Sequence, residues 1–267
     1  MSMKPIVIEA FDIPDATWQI IKACMHDGYE RPVFRGARKE QLRKELDFLV
    51  GHIRHPETRP LCIDTSNIKD EFGNPFPALS SDEDINKYLE YIAVPDKAKD
   101  QDYTYGQRAF GTINLNTEIA KFMAKHDKQE GQNIHNHCNQ FDVITQFLQE
   151  TPETNRATVE VGMAQDLFLE HPPCLRFIQY KIRYGKLHSF YVFRSWDAMY
   201  GLPMNLGAYQ KLAESLVDDL NESYDKKGLQ HISCGEMFFT SFGAHVYSGQ
   251  WKYAELLIGK KHGERTV

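Results

Sequence analysis

Apolar residues recur at helical spacing along much of the chain. Trp18, Ile21 and Met25 lie between Asp15 and Gly28, a spacing that predicts a helix with an aspartate cap and a glycine stop. Leu42, Leu46, Leu49, Val50 and Ile53 repeat the pattern and predict a second helix over 39–54, ended before Pro56. Residues 63–102 are rich in Asp, Asn, Ser and Pro; they read as surface insertions carrying one short helix over 84–92. Phe141, Ile144, Phe147 and Leu148 share one helical face, and Pro152 stops that helix. A β-rich block follows, with strands expected at 157–163, 174–182 and 187–195, the last two joined through Tyr184-Gly185-Lys186 as a hairpin. The longest clean helix is 205–220, where Leu206, Tyr209, Leu212, Ala213, Leu216, Val217 and Leu220 form one apolar stripe. Adjacent strands with helices before and after favour an α+β domain spanning 1–267 over a doubly wound sheet, and the chain carries no dinucleotide or Walker glycine motif.

Composition narrows the class of function. With 42% hydrophobic residues in 267, the chain can fill one large core, and a net charge of -6 argues against a duplex-DNA or anionic-membrane binder. Any phosphate must then be met locally, by a few placed arginines. The five cysteines are Cys24, Cys62, Cys138, Cys174 and Cys234; their odd number and wide spacing suggest neither a disulfide framework nor a zinc ribbon, so a reducing, cytoplasmic setting is expected. No apolar run approaches the roughly eighteen residues of a membrane span, and the N-terminus does not read as a signal peptide.

Cys174 follows Pro172 and Pro173 and opens a strand, which stiffens its backbone and suits a fixed nucleophile. A thiol needs nearby positive charge to ionise at neutral pH, and the hairpin returns Arg194 alongside it. Taken alone, the residue reads more readily as a buried inert cysteine. The run from His171 to Glu214 decides between them, with its proline-cysteine pair, a strand pair written Q-x-x-x-x-x-G-K-L, an R-S-x-D turn and a G-x-P-x-N-x-x-x-Y helix start. This run resembles the thymidylate synthase family, as do Ala244-His245-Val246-Tyr247 and Tyr105-Gly106-Gln107-Arg108, and it looks nearest to the compact archaeal and viral members.

The resemblance implies a large mixed sheet with flanking helices, paired sheet to sheet in a homodimer, and a covalent chemistry on a pyrimidine nucleoside monophosphate. It makes Cys174 the nucleophile at ring carbon 6 and places Tyr105 near the proton leaving carbon 5. It assigns the phosphate to Arg35, Arg194, Ser195 and Arg156 of the partner subunit, the sugar hydroxyl to His245 and Tyr247, and the pyrimidine edge to Asn205. Asp197 and Gly201 would hold the pterin of 5,10-methylene-tetrahydrofolate or a methanopterin-type equivalent, and Glu90 is the candidate for ordering water; no metal is implied. An amide at 205 favours dUMP over dCMP, which points to dTMP formation, with a 5-hydroxymethyl product on dUMP or (d)CMP as the alternative.

The chain also departs from the family pattern. It has Asn155-Arg156 where two arginines are usual, Phe193 where many members have glutamine, no aspartate after Gly243, and a short tail after a helix expected at 251–258. Three rivals stand beside this reading. His135-Asn136-His137-Cys138 offers metal ligands; Cys174, His188 and Asp197 could form a hydrolytic triad if strand parity allowed; and a nucleotide-binding homologue without turnover would explain Asn155 and Phe193.

Overall fold

The computed structural model describes residues 3–34, 38–76, 79–96, 101–111 and 139–259. With strands numbered in chain order, one six-stranded mixed sheet runs β1 (Ile6–Ala10), β4 (Leu49–Ile53), β9 (Ser233–Ser241), β7 (Lys186–Phe193), β6 (Leu175–Arg183) and β5 (Thr158–Glu160). A second sheet orders β2 (Tyr29–Pro32), β3 (Leu42–Leu46), β10 (Ala244–Tyr247) and β8 (Trp196–Asp197). Helices flank both, giving the mixed α+β architecture that the strand and helix order predicts.

Helix α1 (Ile13–Asp27) starts from Asp12, whose carboxylate accepts the Asp15 N–H, and closes where the Gly28 N–H reaches the Cys24 carbonyl. Asp12, one turn ahead of the expected cap, therefore does the capping. The helix expected over 39–54 is instead two strands, β3 and β4. Leu42, Leu46, Leu49 and Ile53 satisfy a helical spacing, but Leu49, Gly51 and Ile53 are buried in alternation while Leu42 and Val50 stay exposed. That alternation is the signature of a pleated strand, and β4 gains parallel pairing to β1 and antiparallel pairing to β9.

Residues 63–102, read as surface insertions, send Ile63, Ile68, Phe76, Leu79, Ile85 and Ile92 into the core. Their helix, α2 (Asp82–Ala93), begins with a reciprocal cap between Ser81 and Asp84. It lies against the long helix α5 (Gly201–Lys227), which extends beyond the predicted 205–220 and ends at Gly228 in left-handed backbone, φ 63°. Gly207 allows the two helices their close approach, since a Cβ there would stand 2.7 Å from Ile85 Cδ1. That contact sets the position of Tyr88, one turn beyond Ile85, relative to α5. Helix α3 (Tyr105–Phe110) and helix α4 (Gln140–Glu150) complete this side, and α6 (Trp251–Gly259) lies against α1.

The predicted hairpin of β6 and β7 is present. Tyr184 and Gly185 both take positive φ, 55° and 71°, the two-residue turn that matches strand twist. The ladder slips near its other end, between Leu175 and Phe177, so Arg176 bulges out next to Cys174. Such bulges re-aim side chains, and this one lies beside the candidate nucleophile.

Candidate active site

Cys174 lies at the root of that hairpin, where the Arg194 N–H donates to its carbonyl at 2.8 Å. Two further bonds tie Arg194 to the proline pair: its Nε donates to the Pro173 carbonyl at 3.1 Å and an Nη to the Pro172 carbonyl at 2.6 Å. The guanidinium is thus held beside the thiol and remains exposed for an anion. Burial pushes the Cys174 thiol above its ordinary value; Arg194 and Arg176 pull it down, and Asp197 pushes it up. The free protein therefore keeps this group mainly as a thiol at neutral pH. Iodoacetamide labelling of Cys174, followed by peptide mapping, is expected to be slow at pH 7 and to rise with pH through the thiol range. Arg194→Gln should slow it further, by up to about tenfold, because the favourable charge is gone; an unchanged rate would show that Arg194 does not act on the thiol.

Tyrosines gather around the sulfur. The Leu175 N–H donates to the Tyr105 hydroxyl at 3.2 Å, which holds the ring of Tyr105 against the start of β6. A thiolate at Cys174 would be felt by Tyr88, Tyr103, Tyr105 and Tyr247, all of which burial pushes above the usual phenol range. Tyr88, Tyr91, Gln101, Asp102, Tyr103, Tyr105 and His171 line a cavity of about 370 Å³. Its flat aromatic walls suit a planar heterocycle.

Asn205 is buried on the first turns of α5. Its side-chain oxygen accepts from Trp196 Nε1 at 2.8 Å, and its amide nitrogen donates to the Tyr88 hydroxyl at 2.7 Å. Its alternative reading as a helix cap fails, because α5 starts four residues earlier at Gly201. Asp197 accepts the Met199 N–H at 3.0 Å and the Tyr200 N–H at 3.3 Å, so one carboxylate oxygen organises the start of α5. At Gly201 an added Cβ would meet only Asp197 Cβ at 3.6 Å and Trp196 Cδ1 at 4.0 Å, which leaves room beside the carboxylate.

The second sheet supplies the other wall. β10 pairs with β8 so that His245 sits beside Asp197. His245 Nδ1 lies 2.8 Å from the Gly243 carbonyl, which fixes that nitrogen as the N–H donor. Nε2 is then a bare acceptor, buried and without a hydrogen-bond partner among the described residues. Burial lowers the imidazole's pKa, in keeping with the neutral form. The His245 and Tyr247 rings meet edge to face at 4.7 Å, and the Ser195 hydroxyl lies 3.4 Å from the Gly243 carbonyl.

The structure thus brings together Cys174, Arg194, Ser195, Asp197, Gly201, Asn205, Tyr105, His245 and Tyr247. Glu90 is not among them: it is exposed on α2, and two residues from Tyr88 a helix has turned through about 200°. Arg156 is exposed beside β5, its guanidinium 4.0 Å from the Phe147 ring centroid. Arg35, and the His135 to Cys138 cluster, lie outside the described residues; among those described, no three His, Cys, Asp or Glu side chains converge as a metal-binding group. No described helix is long and apolar enough to cross a membrane. The triad of Cys174, His188 and Asp197 does not assemble. His188 pairs with Lys181, roughly 20 Å along the strand from Cys174 at ~3.3 Å per residue, and its Nδ1 accepts the Glu236 N–H.

Sequence reasoning missed Tyr88, Tyr103 and Trp196. Tyr88 reaches Asn205 across 117 positions, a contact no local pattern announces. Trp196 stood inside the R-S-x-D turn as its variable residue.

The sequence profile of the family described as thymidylate synthase matches residues 83–266, well over half of the chain. This chain belongs to the thymidylate synthase family. Curated relatives extend the likeness to the segment before residue 83. The protein named "Putative thymidylate synthase" in Methanosarcina acetivorans is 26% identical over 253 residues, 94% of this chain and 94% of its own length. Its namesake in Methanothermobacter thermautotrophicus is 27% identical over 266 residues, 94% of this chain and 97% of its own. The thymidylate synthase of Vesicomyosocius okutanii is 24% identical over 125 residues, 46% of this chain and 43% of its own. A thymidylate synthase family fold accords with the mixed sheet and flanking helices described above.

Proposed function

We propose that this family member adds a one-carbon unit from a methylene-tetrahydropterin to carbon 5 of dUMP through a covalent Cys174 adduct, giving dTMP. The observation that carries the reading is Arg194, hydrogen-bonded to the Cys174 carbonyl and held by the two preceding prolines beside the cysteine, within a chain that belongs to the thymidylate synthase family. The Cys174 thiol first gives up its proton; the thiolate sulfur then adds to ring carbon 6, and the electron pair of the 5,6 double bond moves to carbon 5 and oxygen 4. Arg194 and Ser195 take the phosphate, aided by Arg35 and by Arg156 of the partner subunit. His245 Nε2 accepts a sugar hydroxyl and Tyr247 completes that contact.

By resemblance Tyr105 would take up the proton leaving carbon 5, and the aromatic cavity on one side and Asp197 with Gly201 on the other would receive the pterin ring. The pterin supplies the methylene carbon and, in the methylating outcome, a hydride. Those two walls would also exclude water, which decides between a methyl and a hydroxymethyl product. The homodimer expected from the resemblance has a candidate surface in the outer aromatic row of His52, Phe238 and Phe190, stacked at 4.5 and 4.9 Å.

The test is to incubate the purified chain with dUMP or dCMP and methylene-tetrahydrofolate, or a methanopterin-type donor, and to identify the nucleotide products by mass. dTMP is the expected product. A 5-hydroxymethyl nucleotide would replace the methylating reading with the hydroxymethylating one, and no turnover with any pairing would overturn both.

A further inference from the structure

Asn205 carries two N–H donors and a carbonyl with two lone pairs, and one of each is already engaged inside the protein. The Trp196 indole can only donate, so the amide oxygen must face it and the NH₂ must face Tyr88. The indole is itself held: Phe193 lies flat on it, with ring centroids 3.9 Å apart and planes 9° from parallel, and Phe239 meets its edge at 5.4 Å. Phe193, Trp196 and Phe239 are all buried, at 0%, 2% and 3% exposure. Bulk water therefore has little access from that side to satisfy the oxygen if the indole N–H is removed.

We infer that Trp196, with Tyr88, is a positioning residue that locks the Asn205 amide in one orientation and thereby sets base selectivity. One N–H and one lone pair remain on Asn205, in a fixed order. Uracil offers a carbonyl beside an N–H, which these two groups complement. Cytosine offers an amino group beside a bare ring nitrogen, which would meet a donor with a donor and an acceptor with an acceptor. A free amide could rotate by half a turn and serve either base; a locked one cannot. Trp196 thus acts on selectivity without touching the substrate. The inference rests on the proposed dUMP reading.

The experiment is calorimetric titration of dUMP and of dCMP into the full chain and into two variants, independent of any turnover. In the parent, dUMP should bind more tightly than dCMP. Trp196→Phe keeps a stacked ring and deletes the N–H; the dUMP-to-dCMP affinity ratio is expected to fall at least about fivefold, chiefly through weaker dUMP binding. Tyr88→Phe deletes the acceptor alone and should move the ratio in the same direction by less, which keeps the test open if the tryptophan variant does not fold. A ratio unchanged in the folded variants, or equal weakening of both nucleotides, overturns the positioning role while the parent's preference leaves the dUMP reading standing. A parent that binds neither nucleotide, or shows no preference, overturns that reading and the inference with it.

Discussion

Replacing Cys174 with alanine is expected to reduce nucleotide turnover on the order of 10⁴-fold or more, the scale on which loss of a covalent nucleophile is felt. Affinity for dUMP should stay within about an order of magnitude, because the groups proposed to hold phosphate, sugar and base lie on other elements. Arg194 is tied to the carbonyls of Pro172 and Pro173, and Asn205 is fixed by Trp196 and Tyr88; neither depends on the sulfur. Steady-state kinetics and equilibrium binding on the same preparation separate the two effects. Equal loss of turnover and affinity would mean that the cysteine supports the pocket rather than the chemistry.

The second large effect is expected at Asp166, a carboxylate in the 3-10 turn Ala164–Phe168 that the sequence did not single out. It is 1% exposed and binds three donors: an Arg108 Nη at 2.6 Å, an Arg176 Nη at 3.1 Å and the Met163 N–H at 2.7 Å. Arg108 belongs to α3, which carries Tyr105, and Arg176 is the bulged residue beside Cys174, so one carboxylate ties together two walls of the site. Asp166→Ala would leave Arg108 as a buried charge without its partner, at a cost of about 3–5 kcal/mol. For a chain of this size that corresponds to a fall in melting temperature on the order of 10 °C.

Burial pushes the Asp166 carboxyl up, but the Met163 N–H and the two arginines outweigh it, and the net pKa lies below the usual value. A group depressed in the folded state stabilises above its unfolded pKa, about 3.9, and that contribution is lost as pH falls through the folded value. Denaturation curves from pH 7 to pH 2 should therefore show a steeper acid decline in the parent than in the alanine variant. Parallel curves would remove Asp166 from the account.

Much of this arrangement was written locally. The hairpin carrying Cys174 and Arg194 follows from alternating apolar residues and a Tyr-Gly turn, and α5 from one apolar stripe. Both signals lie within a few residues of the structure they produce. The strands Leu42–Leu46 and Leu49–Ile53 were misread because spacings of three and four residues can arise from two short strands separated by a turn at Asp47 and Phe48. Their pairing partners decide the matter, and apart from β2, which precedes β3 by ten residues, those partners, β1, β9 and β10, lie far away in sequence.

The site divides in the same way. Cys174, Arg194, Asp197 and Asn205 sit in one continuous run and were legible together, whereas Tyr88 becomes part of the site only because Gly207 lets α2 close against α5. Glu90 shares α2 with Tyr88 but is exposed on that helix. Phe193, a departure from the family pattern in sequence, has a physical place once the structure shows it stacked on Trp196.

The most direct measurement is the intact mass of the protein after incubation with 5-fluoro-dUMP, with and without methylene-tetrahydrofolate, under denaturing conditions. Once the methylene carbon has joined carbon 5, fluorine leaves no proton there to be lost, so the intermediate cannot break down and the bond from the Cys174 sulfur to carbon 6 should be trapped. The expected result is a mass increase of nucleotide plus pterin that needs the methylene donor, maps to the peptide containing Cys174 and is absent from Cys174→Ala. No adduct, or an adduct that survives in Cys174→Ala, would contradict it.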